Sequence, residues 1–370
     1  MRRYEDNPFS TVFGSKPELF VLSPGDNVVE NVTNRLKRDK TSENVFMLYG
    51  TRGTGKTVTL SAIEENIEKD DRFIVVDLNS KGLLMEELVA KLYDLSQYDY
   101  LRKFFSTSIN LSAFGIGINL AAIPPAASLE AAFIKILDII KSKNHRLLIV
   151  IDEASKTKEM MKFAATFNLA SRKGYPVYML MTGLPDNISK LEDVEDLTFL
   201  RRAEHINMQP LNRSIMLYEY MDVLDIRDTE AVKLVNLTKG YPYAYQVLGK
   251  LLWDEPVREL SDKVIRDFDL YMACNVYDKL WESLSGKERW YLCHMANIEK
   301  DIIDVKELLG LLLEQHSNFS RYRESLIKAG ILRSEDRGKI EFALPRFGNF
   351  VKRQMLLFSL NAGNNYGLNG

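Results

Sequence analysis

The stretch Gly50-Thr-Arg-Gly-Thr-Gly-Lys56-Thr57 decides the fold of this 370-residue chain. Its glycines and its Lys-Thr pair have the G-x-x-x-x-G-K-T spacing of a phosphate-binding loop. The apolar run 45–49 before it predicts a buried strand, and residues 58–69 after it have the spacing of a helix with one apolar side. A Gly/Thr-rich turn that matches the spacing by chance is the alternative. Strand, loop and helix nevertheless follow in the order that phosphate binding needs.

The loop supplies three kinds of contact to a triphosphate. Its glycines let the backbone curl so that N–H groups point at phosphate oxygens, and the following helix adds its positive N-terminal end. Lys56 brings a charge to the β- and γ-phosphates, and the Thr57 hydroxyl is a ligand for a Mg²⁺ ion that bridges them. We therefore predict ATP and Mg²⁺ as cofactors. The predicted nucleotide-binding residues of the loop are Gly50, Thr51, Arg52, Gly53, Thr54, Gly55, Lys56, Thr57 and Val58.

A second motif, Ile149-Val-Ile-Asp152-Glu153, places two acids at the end of an apolar run. Such a run predicts a central parallel strand that is covered on both faces. We expect Asp152 to support the Mg²⁺ ion and Glu153 to polarise the water that attacks the γ-phosphate. Two acids at an ordinary strand end are the alternative. Downstream of a phosphate loop, the pair predicts a hydrolase rather than a passive nucleotide sensor.

Three further residues are catalytic candidates. Thr182 ends the next apolar strand, where its side chain can lie beside the γ-phosphate and orient water; a simple strand cap before Gly183 is the alternative. Arg201 and Arg202 precede a predicted strand, and one of them can reach the ATP of a neighbouring subunit as an arginine finger. A solvated surface pair is the alternative there. The finger hypothesis implies a homo-oligomer.

Composition and charge limit the class of protein. With 46% hydrophobic and 27% charged residues, the sequence is typical of a soluble globular protein of two or three domains. The formal net charge of -2 argues against a nucleic-acid coat protein that is basic throughout. Only Cys274 and Cys293 are present, and the N-terminus lacks the apolar core of a signal peptide. We therefore expect a cytoplasmic protein without a disulfide framework.

The uncharged segment 104–129 is the stretch most similar to a membrane span. Polar residues interrupt it and two prolines end it, so we expect no transmembrane helix. Between residues 106 and 123, apolar residues alternate with small or polar ones, which predicts a β-hairpin. Because this hairpin carries no charge, we do not expect it to bind the DNA backbone. An exposed apolar hairpin usually marks a surface for a protein partner.

The chain divides into four predicted regions. Strands alternate with helices over residues 1–209, which predicts an α/β domain with a doubly wound parallel sheet and a ligand at the carboxyl ends of its strands. Residues 210–284 are helical in pattern and form a predicted lid. Three helices and a two-stranded hairpin over residues 285–358 predict a winged helix-turn-helix. Residues 359–370 are predicted to be a disordered tail.

The predicted winged helix carries a modest excess of positive charge. Residues 305–353 contain ten Lys and Arg against six Asp and Glu, which is enough for contacts to DNA phosphates. Winged helices also serve as protein-interaction modules, so the fold alone does not decide the partner. The candidate contacts to double-stranded DNA are Arg321, Arg323, Lys328, Arg333 and Lys339.

The order of these motifs resembles the AAA+ ATPases of the origin-recognition and initiator type, above all their bacterial, phage and mobile-element members. The opening Asn7-Pro8-Phe9 is similar to a stretch that lies near the adenine in such proteins. Many of them carry an Arg early in a lid helix, where it contacts the γ-phosphate. This chain has Thr238-Lys-Gly-Tyr-Pro242 at that place. Its Gly-x-Pro resembles the STAND ATPases, which implies that Pro242 packs on the nucleotide and leaves Lys239 as a substitute for the Arg.

Two functions follow from this resemblance. The first is an ATPase whose ATP-driven assembly acts on DNA through the winged helix, and the basic character of that region favours it. The second is a STAND-type regulatory switch, in which the ATP state controls the exposure of the winged helix or the 106–123 hairpin to a protein partner. The Gly240-Tyr-Pro242 motif favours the switch.

Overall fold

A computed structural model describes most of the chain. The described residues are 4–12, 17–21, 27–39, 43–95, 98–101, 103, 129–298, 300–312, 316–334 and 336–364. The hairpin predicted at 106–123 lies outside them. Within the described ranges, none of the helices has the length and apolar character that crossing a membrane requires.

A five-stranded parallel sheet forms the centre of the first half of the chain. Its strands are β1 (Val45–Tyr49), β2 (Phe73–Asn79), β3 (Arg146–Asp152), β4 (Val177–Gly183) and β5 (Glu204–Asn207). All pairings are parallel, and the strand order is β2-β3-β4-β1-β5. Because β1, β3 and β4 all lie inside the sheet, their carboxyl ends bring the phosphate loop, the two acids and Thr182 to the same edge.

Helices cover both faces of this sheet, which confirms the predicted doubly wound α/β class. They are α1 (Val28–Lys37), α2 (Lys56–Glu68), α3 (Leu84–Asp94), α4 (Leu129–Ser142), α5 (Lys158–Arg172) and α6 (Pro185–Glu192), followed by a 3-10 helix at Glu195–Arg202. Helices α1 and α2 share a core with Phe46 and Val150, whereas α3, α4 and α5 share another with Met47 and Ile149. Neighbouring strand residues thus enter opposite cores, and each strand therefore appears in the sequence as a continuous apolar run.

The region predicted as a lid is helical. It contains α7 (Arg213–Leu224), α8 (Asp228–Thr238), α9 (Pro242–Asp254), α10 (Asp262–Met272) and α11 (Asp278–Ser283), with a π-helical turn at Ala273–Tyr277. The N-terminal stretch packs on it, since Phe9 is buried against Gly249 and contacts the rings of Tyr220 and Tyr245. The Ser10 N–H donates to the Gln246 side chain at 2.9 Å. The first residues of the chain are thereby attached to the lid.

The C-terminal region contains α12 (Gly286–Asn297), β6 (Ile303–Asp304), α13 (Val305–Leu312), α14 (His316–Lys328), β7 (Leu332–Arg333), β8 (Lys339–Phe342) and α15 (Phe347–Asn364). The three short strands pair antiparallel in the order β6-β8-β7. Helices α12, α13 and α14 and the β7–β8 hairpin lie where the sequence predicts them. Helix α15 continues to Asn364, past the tail boundary predicted at residue 358. Residues 365–370 lie outside the described ranges.

The lid and the C-terminal region share one apolar core, which runs from α7 to α15. At their junction, the Tyr277 ring packs against Phe347 and Phe350, and its hydroxyl donates to the Pro345 carbonyl. The sequence boundary predicted at residue 284 therefore falls inside a continuous packing unit.

A buried carboxylate reinforces this junction. Asp269 of α10 accepts two hydrogen bonds from Arg346, at 2.7 and 3.0 Å, and one from Arg353 at 2.8 Å. Such a bidentate pair fixes direction as well as distance. The lid and the C-terminal region are therefore held together as one body.

Candidate functional site

The loop Gly50–Thr57 joins β1 to α2 in a tight curl. Gly53 and Gly55 have φ angles of 75° and 82°, in the left-handed region that favours glycine. Gly55 is the N-cap of α2, so the loop ends at the positive end of that helix. The Thr54 hydroxyl donates to the Thr51 carbonyl at 2.9 Å and closes the curl. Val58 lies in the first turn of α2.

Lys56 lies within the curl, and its ammonium donates to the carbonyls of Gly50 and Thr51 at 2.9 and 2.6 Å. Burial lowers the pKa of Lys56 to about 8, although the nearby carboxylates of Asp152 and Glu153 act to raise it. A phosphate in the loop would give this ammonium a stronger partner. Phosphate binding therefore favours the charged form of the lysine.

Thr57, Asp152 and Thr182 form a hydrogen-bonded row across the loop and two strand ends. The Thr57 hydroxyl donates to Asp152 Oδ2 at 2.9 Å, and the Thr182 hydroxyl donates to Oδ1 of the same carboxylate. Thr182 is fully buried at the end of β4. The structure thus places the two residues predicted to hold the metal side by side, with Thr182 in contact with Asp152.

Glu153 follows β3 with a φ of 54°, a left-handed conformation that is uncommon for a residue with a side chain. Its N–H donates to the Thr182 hydroxyl at 3.0 Å and to Asp152 Oδ1 at 3.1 Å. Its carboxylate is half exposed and lies 3.9 Å from the guanidinium of Arg52. The backbone of the candidate general base is therefore fixed, and its side chain points to the phosphate loop.

Two lid residues hold the middle of the loop. The Tyr241 hydroxyl donates to the Arg52 carbonyl, and the Tyr243 N–H donates to the Gly53 carbonyl at 3.1 Å. A Cβ at Gly53 would lie 2.5 Å from the Tyr241 hydroxyl, so only glycine fits beneath this tyrosine. Pro242 begins α9 and lies beside Gly55, 3.8 Å from where a Cβ would stand. The Gly-Tyr-Pro motif is thus in contact with the phosphate loop.

A cavity of about 790 Å³ adjoins the loop. It lies between Thr51 and Thr54 of the loop, the lid, and the C-terminal region. Its described lining leaves out Lys56 and Asp152, so it is a neighbour of the phosphate site rather than the site itself. On one side of it the C-terminal region touches the loop, because a Cβ on Gly330 would overlap the Thr51 methyl group.

Two other candidate cations, Arg201 and Lys239, contact groups outside the phosphate loop. Arg201 and Arg202 are exposed at the end of the 3-10 helix, and Arg201 donates to the Glu192 carbonyl at 3.1 Å. Lys239 donates to the Phe342 carbonyl at 2.7 Å. The lysine expected to replace the γ-phosphate arginine therefore joins the lid to β8 instead, because β8 packs beside the end of α8.

The structure divides the five predicted DNA contacts between two settings. Arg321 is exposed and Arg323 is half-buried on α14, while Lys339 is exposed on β8. Lys328 and Arg333 line the cavity beside the phosphate loop. The last two side chains thus face the α/β half of the molecule in this conformation.

Comparison with known proteins agrees with this arrangement. Residues 38–191 match an AAA domain, and residues 274–351 match a domain of unknown function, DUF8462. No curated protein matches the sequence. The fold is similar to that of the Walker-type ATPase of Pyrococcus abyssi, with a TM-score of 0.60 and 16% identity over 88% of this chain and 95% of that one. It is also similar to the ORC2 protein of Aeropyrum pernix, with a TM-score of 0.54 and 14% identity over 90% and 96% of the two chains.

These observations define the class of the first half of the chain. A phosphate loop after a central strand, an acidic pair after the next strand but one, and helices on both faces make a P-loop fold of the AAA+ type. The match of residues 38–191 to an AAA domain agrees with this fold. The similarity to ORC2, at 14% identity, concerns the fold alone.

Sequence reasoning missed three contacts at the site. It gave a role to Pro242 but none to the neighbouring Tyr241, which holds the loop. It counted Arg52 as a loop residue without foreseeing that its side chain pairs with Glu153. It gave no signal for Gly330 at the loop, because this contact joins residues far apart in the chain. The one sequence feature that pointed to any of these contacts was Arg52, a charged residue inside a glycine-rich loop.

Proposed function

We propose that this protein binds and hydrolyses ATP and couples its nucleotide state to the binding of double-stranded DNA through a C-terminal winged helix. The row Thr57–Asp152–Thr182 is the observation that carries the ATPase activity, since three separate elements bring these groups to the phosphate loop. The AAA domain match supports the same reaction. We also propose a homo-oligomer with Arg201 or Arg202 as the finger, and their exposure supports this role.

The residues present fit a Mg²⁺ ion. Thr57 and Asp152 present adjacent hydroxyl and carboxylate oxygens, which are the donors that this hard cation prefers. They would hold the ion. When bound, the ion would neutralise the negative charge that develops on the phosphates during transfer.

The residues of the chain have separate tasks in this reaction. The loop N–H groups and Lys56 bind the phosphates, because the loop is curled and the lysine lies inside it. Glu153 orients the attacking water and accepts its proton. Thr182 contributes without contacting the substrate. Its hydroxyl positions the other two residues, because it is hydrogen-bonded to both the Glu153 backbone and the Asp152 carboxylate. Pro242 beside Gly55 places the lid against the nucleotide.

The link to DNA rests on the lid. Tyr241 and Tyr243 bind the phosphate loop, and the lid shares its core with the C-terminal region. A change at the loop is therefore passed to α14, on which Arg321 is exposed. Helices α12–α14 followed by the β7–β8 hairpin support a winged helix, and the local excess of positive charge supports DNA as its partner.

Two variants test the ATPase activity. Lys56→Ala should lose ATP binding, because the loop loses the ammonium that lies inside its curl. Glu153→Gln should bind ATP and fail to turn it over, because the amide cannot accept the proton from water. ATP binding is measured with a fluorescent nucleotide and turnover by phosphate release. Normal turnover by Glu153→Gln would exclude this mechanism.

A titration tests the DNA partner. Duplex DNA is added at two salt concentrations, with and without ATP, and binding should weaken at the higher salt. Arg321→Gln should weaken binding across sequences and reduce the salt dependence by about one unit of slope. Lys173→Gln, an exposed cation at the end of α5, is the matched control. Binding that ignores salt would remove DNA as the partner.

The contact between Gly330 and Thr51 favours a second function, the STAND-type switch. Because the C-terminal region contacts the phosphate loop, ATP binding would alter this contact and expose a surface to a protein partner. In that case ATP should change the protease sensitivity of the C-terminal region while DNA binding stays absent in both nucleotide states.

A further inference from the structure

Arg52 is a charged residue at a variable position of the phosphate loop, and the proposed function gives its side chain no task. Its guanidinium lies 3.9 Å from the Glu153 carboxylate. It is also close enough to Lys56 to act on it, since the pKa of Lys56 is lowered by burial first and, to a smaller extent, by the Arg52 charge. The guanidinium therefore lies near both Glu153 and Lys56.

The backbone of Arg52 belongs to the lid contact. Its carbonyl accepts the hydrogen bond of the Tyr241 hydroxyl, and the next carbonyl, of Gly53, accepts the N–H of Tyr243 at 3.1 Å. Tyr241 also fills the space above Gly53, so the loop and the tyrosine cannot slide past each other. A movement of the lid must therefore move the segment that carries the Arg52 side chain.

The backbone of Glu153 is fixed, and only its side chain can turn. Its N–H is held by Thr182 and Asp152 at 3.0 and 3.1 Å, in a left-handed backbone conformation. The direction of its carboxylate thus depends on the groups around it, and Arg52 is the cation that forms an ion pair with it in the structure. The ion pair therefore favours positions of the Glu153 side chain in which the carboxylate lies beside Arg52.

We propose that Arg52 is a positioning residue that restrains Glu153, and that the lid sets this restraint through Tyr241. The inference rests on the proposed function, in which Glu153 is the general base. A γ-phosphate offers Arg52 a stronger anionic partner and so competes with Glu153 for it. Until that exchange is complete, a fraction of the ATP-bound molecules keeps the base turned away from water.

The first test removes the cation. Arg52→Gln should raise kcat at saturating ATP by about two- to fivefold. This is the size of effect expected when a partly exposed ion pair is removed. Arg52→Lys keeps the charge and should remain near the parent value. Arg72→Gln, which removes another arginine from an ion pair with Asp70, is the control and should change nothing. An unchanged or lower kcat in Arg52→Gln would overturn the restraint.

The second test asks whether Tyr241 acts on Glu153 through Arg52. Tyr241→Phe removes the hydroxyl that holds the Arg52 carbonyl and should raise kcat in the same direction. Tyr218→Phe is its control, because Tyr218 is an exposed tyrosine on α7 of the lid. The double variant of Arg52→Gln and Tyr241→Phe should match Arg52→Gln alone. Effects that multiply in the double variant would show that Tyr241 does not act through Arg52.

The two proposals fail in different ways. Turnover by Glu153→Gln would overturn the proposed function, whatever Arg52 does. Loss of turnover in Glu153→Gln together with no rise in Arg52→Gln would leave the general base in place and overturn the restraint alone. Thermal unfolding of each variant shows whether a change in kcat follows from a loss of folded protein.

Discussion

Gly330, in the turn after α14, lies directly against the side chain of Thr51 in the phosphate loop. These residues are separated by most of the chain, yet no room is left between them for a methyl group. Lys239 of the lid also contacts the C-terminal region, because it donates a hydrogen bond to the Phe342 carbonyl of β8. The C-terminal region therefore contacts the phosphate loop in this conformation. A conformational change of the loop would alter this contact.

Adding a methyl group at Gly330 should unseat the C-terminal region. Gly330→Ala places a Cβ onto the Thr51 methyl, and we expect a larger radius of gyration in small-angle scattering. Gly330 has a φ of 67°, so backbone strain also contributes. Gly338→Ala is the matched control, with a φ of 81° and open space around its Cβ. Combining Gly330→Ala with Thr51→Ala should restore the compact form. An equal expansion in both glycine variants would mean that strain, and not the contact, is responsible.

ATP affinity should fall above about pH 8. The pKa of Lys56 in the free protein is about 8 because of burial, and binding of phosphates raises it. A group whose pKa is raised by the ligand supports binding fully below its free pKa and loses this support as the pH rises through it. We expect Kd to rise by about tenfold per pH unit above pH 8, until the pKa of the bound state is reached.

Calorimetric titrations from pH 7 to about pH 9.5 measure this dependence, and proton uptake appears as a binding enthalpy that varies with the buffer. Lys56→Arg is the control, because a guanidinium stays charged over this range. A Kd that is the same at both ends of the range would show that Lys56 is charged throughout in the free protein.

Removing the Thr182 hydroxyl should cost both stability and turnover. Thr182→Val keeps the shape of the side chain but removes one hydrogen-bond partner from the Glu153 N–H and one from the Asp152 carboxylate. We expect the free energy of unfolding to drop by about 1–3 kcal/mol and kcat to fall at least tenfold. Thr182→Ser retains the hydroxyl and should keep most of the activity. Urea denaturation and phosphate release measure the two effects. Full activity in Thr182→Val would reduce Thr182 to a strand cap.

Neutralising Asp269 should loosen the joint between the lid and the C-terminal region. Asp269→Asn leaves Arg346 and Arg353 without their carboxylate partner. We expect a loss of about 1–3 kcal/mol, less than for a fully buried pair, because the two guanidiniums are partly exposed. Asp267→Asn, at a partly exposed position of the same helix, is the control. If the lid and the C-terminal region unfold as one unit, calorimetry will show their single transition at a lower temperature.

The chemical core of the site was predictable because its parts are local. The loop Gly50–Thr57 must lie between a strand and a helix, and the Asp152-Glu153 pair must follow an apolar strand, so both leave a fixed spacing in the sequence. The parallel sheet followed in turn from the alternation of strands and helices. It also brought Thr182 to the acids, since neighbouring parallel strands end at the same edge.

The sequence by itself determined the phosphate loop, the acidic pair and the α/β class, because backbone geometry and chemistry require those residues close together along the chain. Only the tertiary structure decided how the site is connected to the rest of the protein. Tyr241 on the loop, Arg52 beside Glu153, Lys239 on β8 and Gly330 on Thr51 all depend on how helices pack. Packing joins residues of any separation, and a single polar or small side chain leaves no periodic trace of the neighbour that it meets.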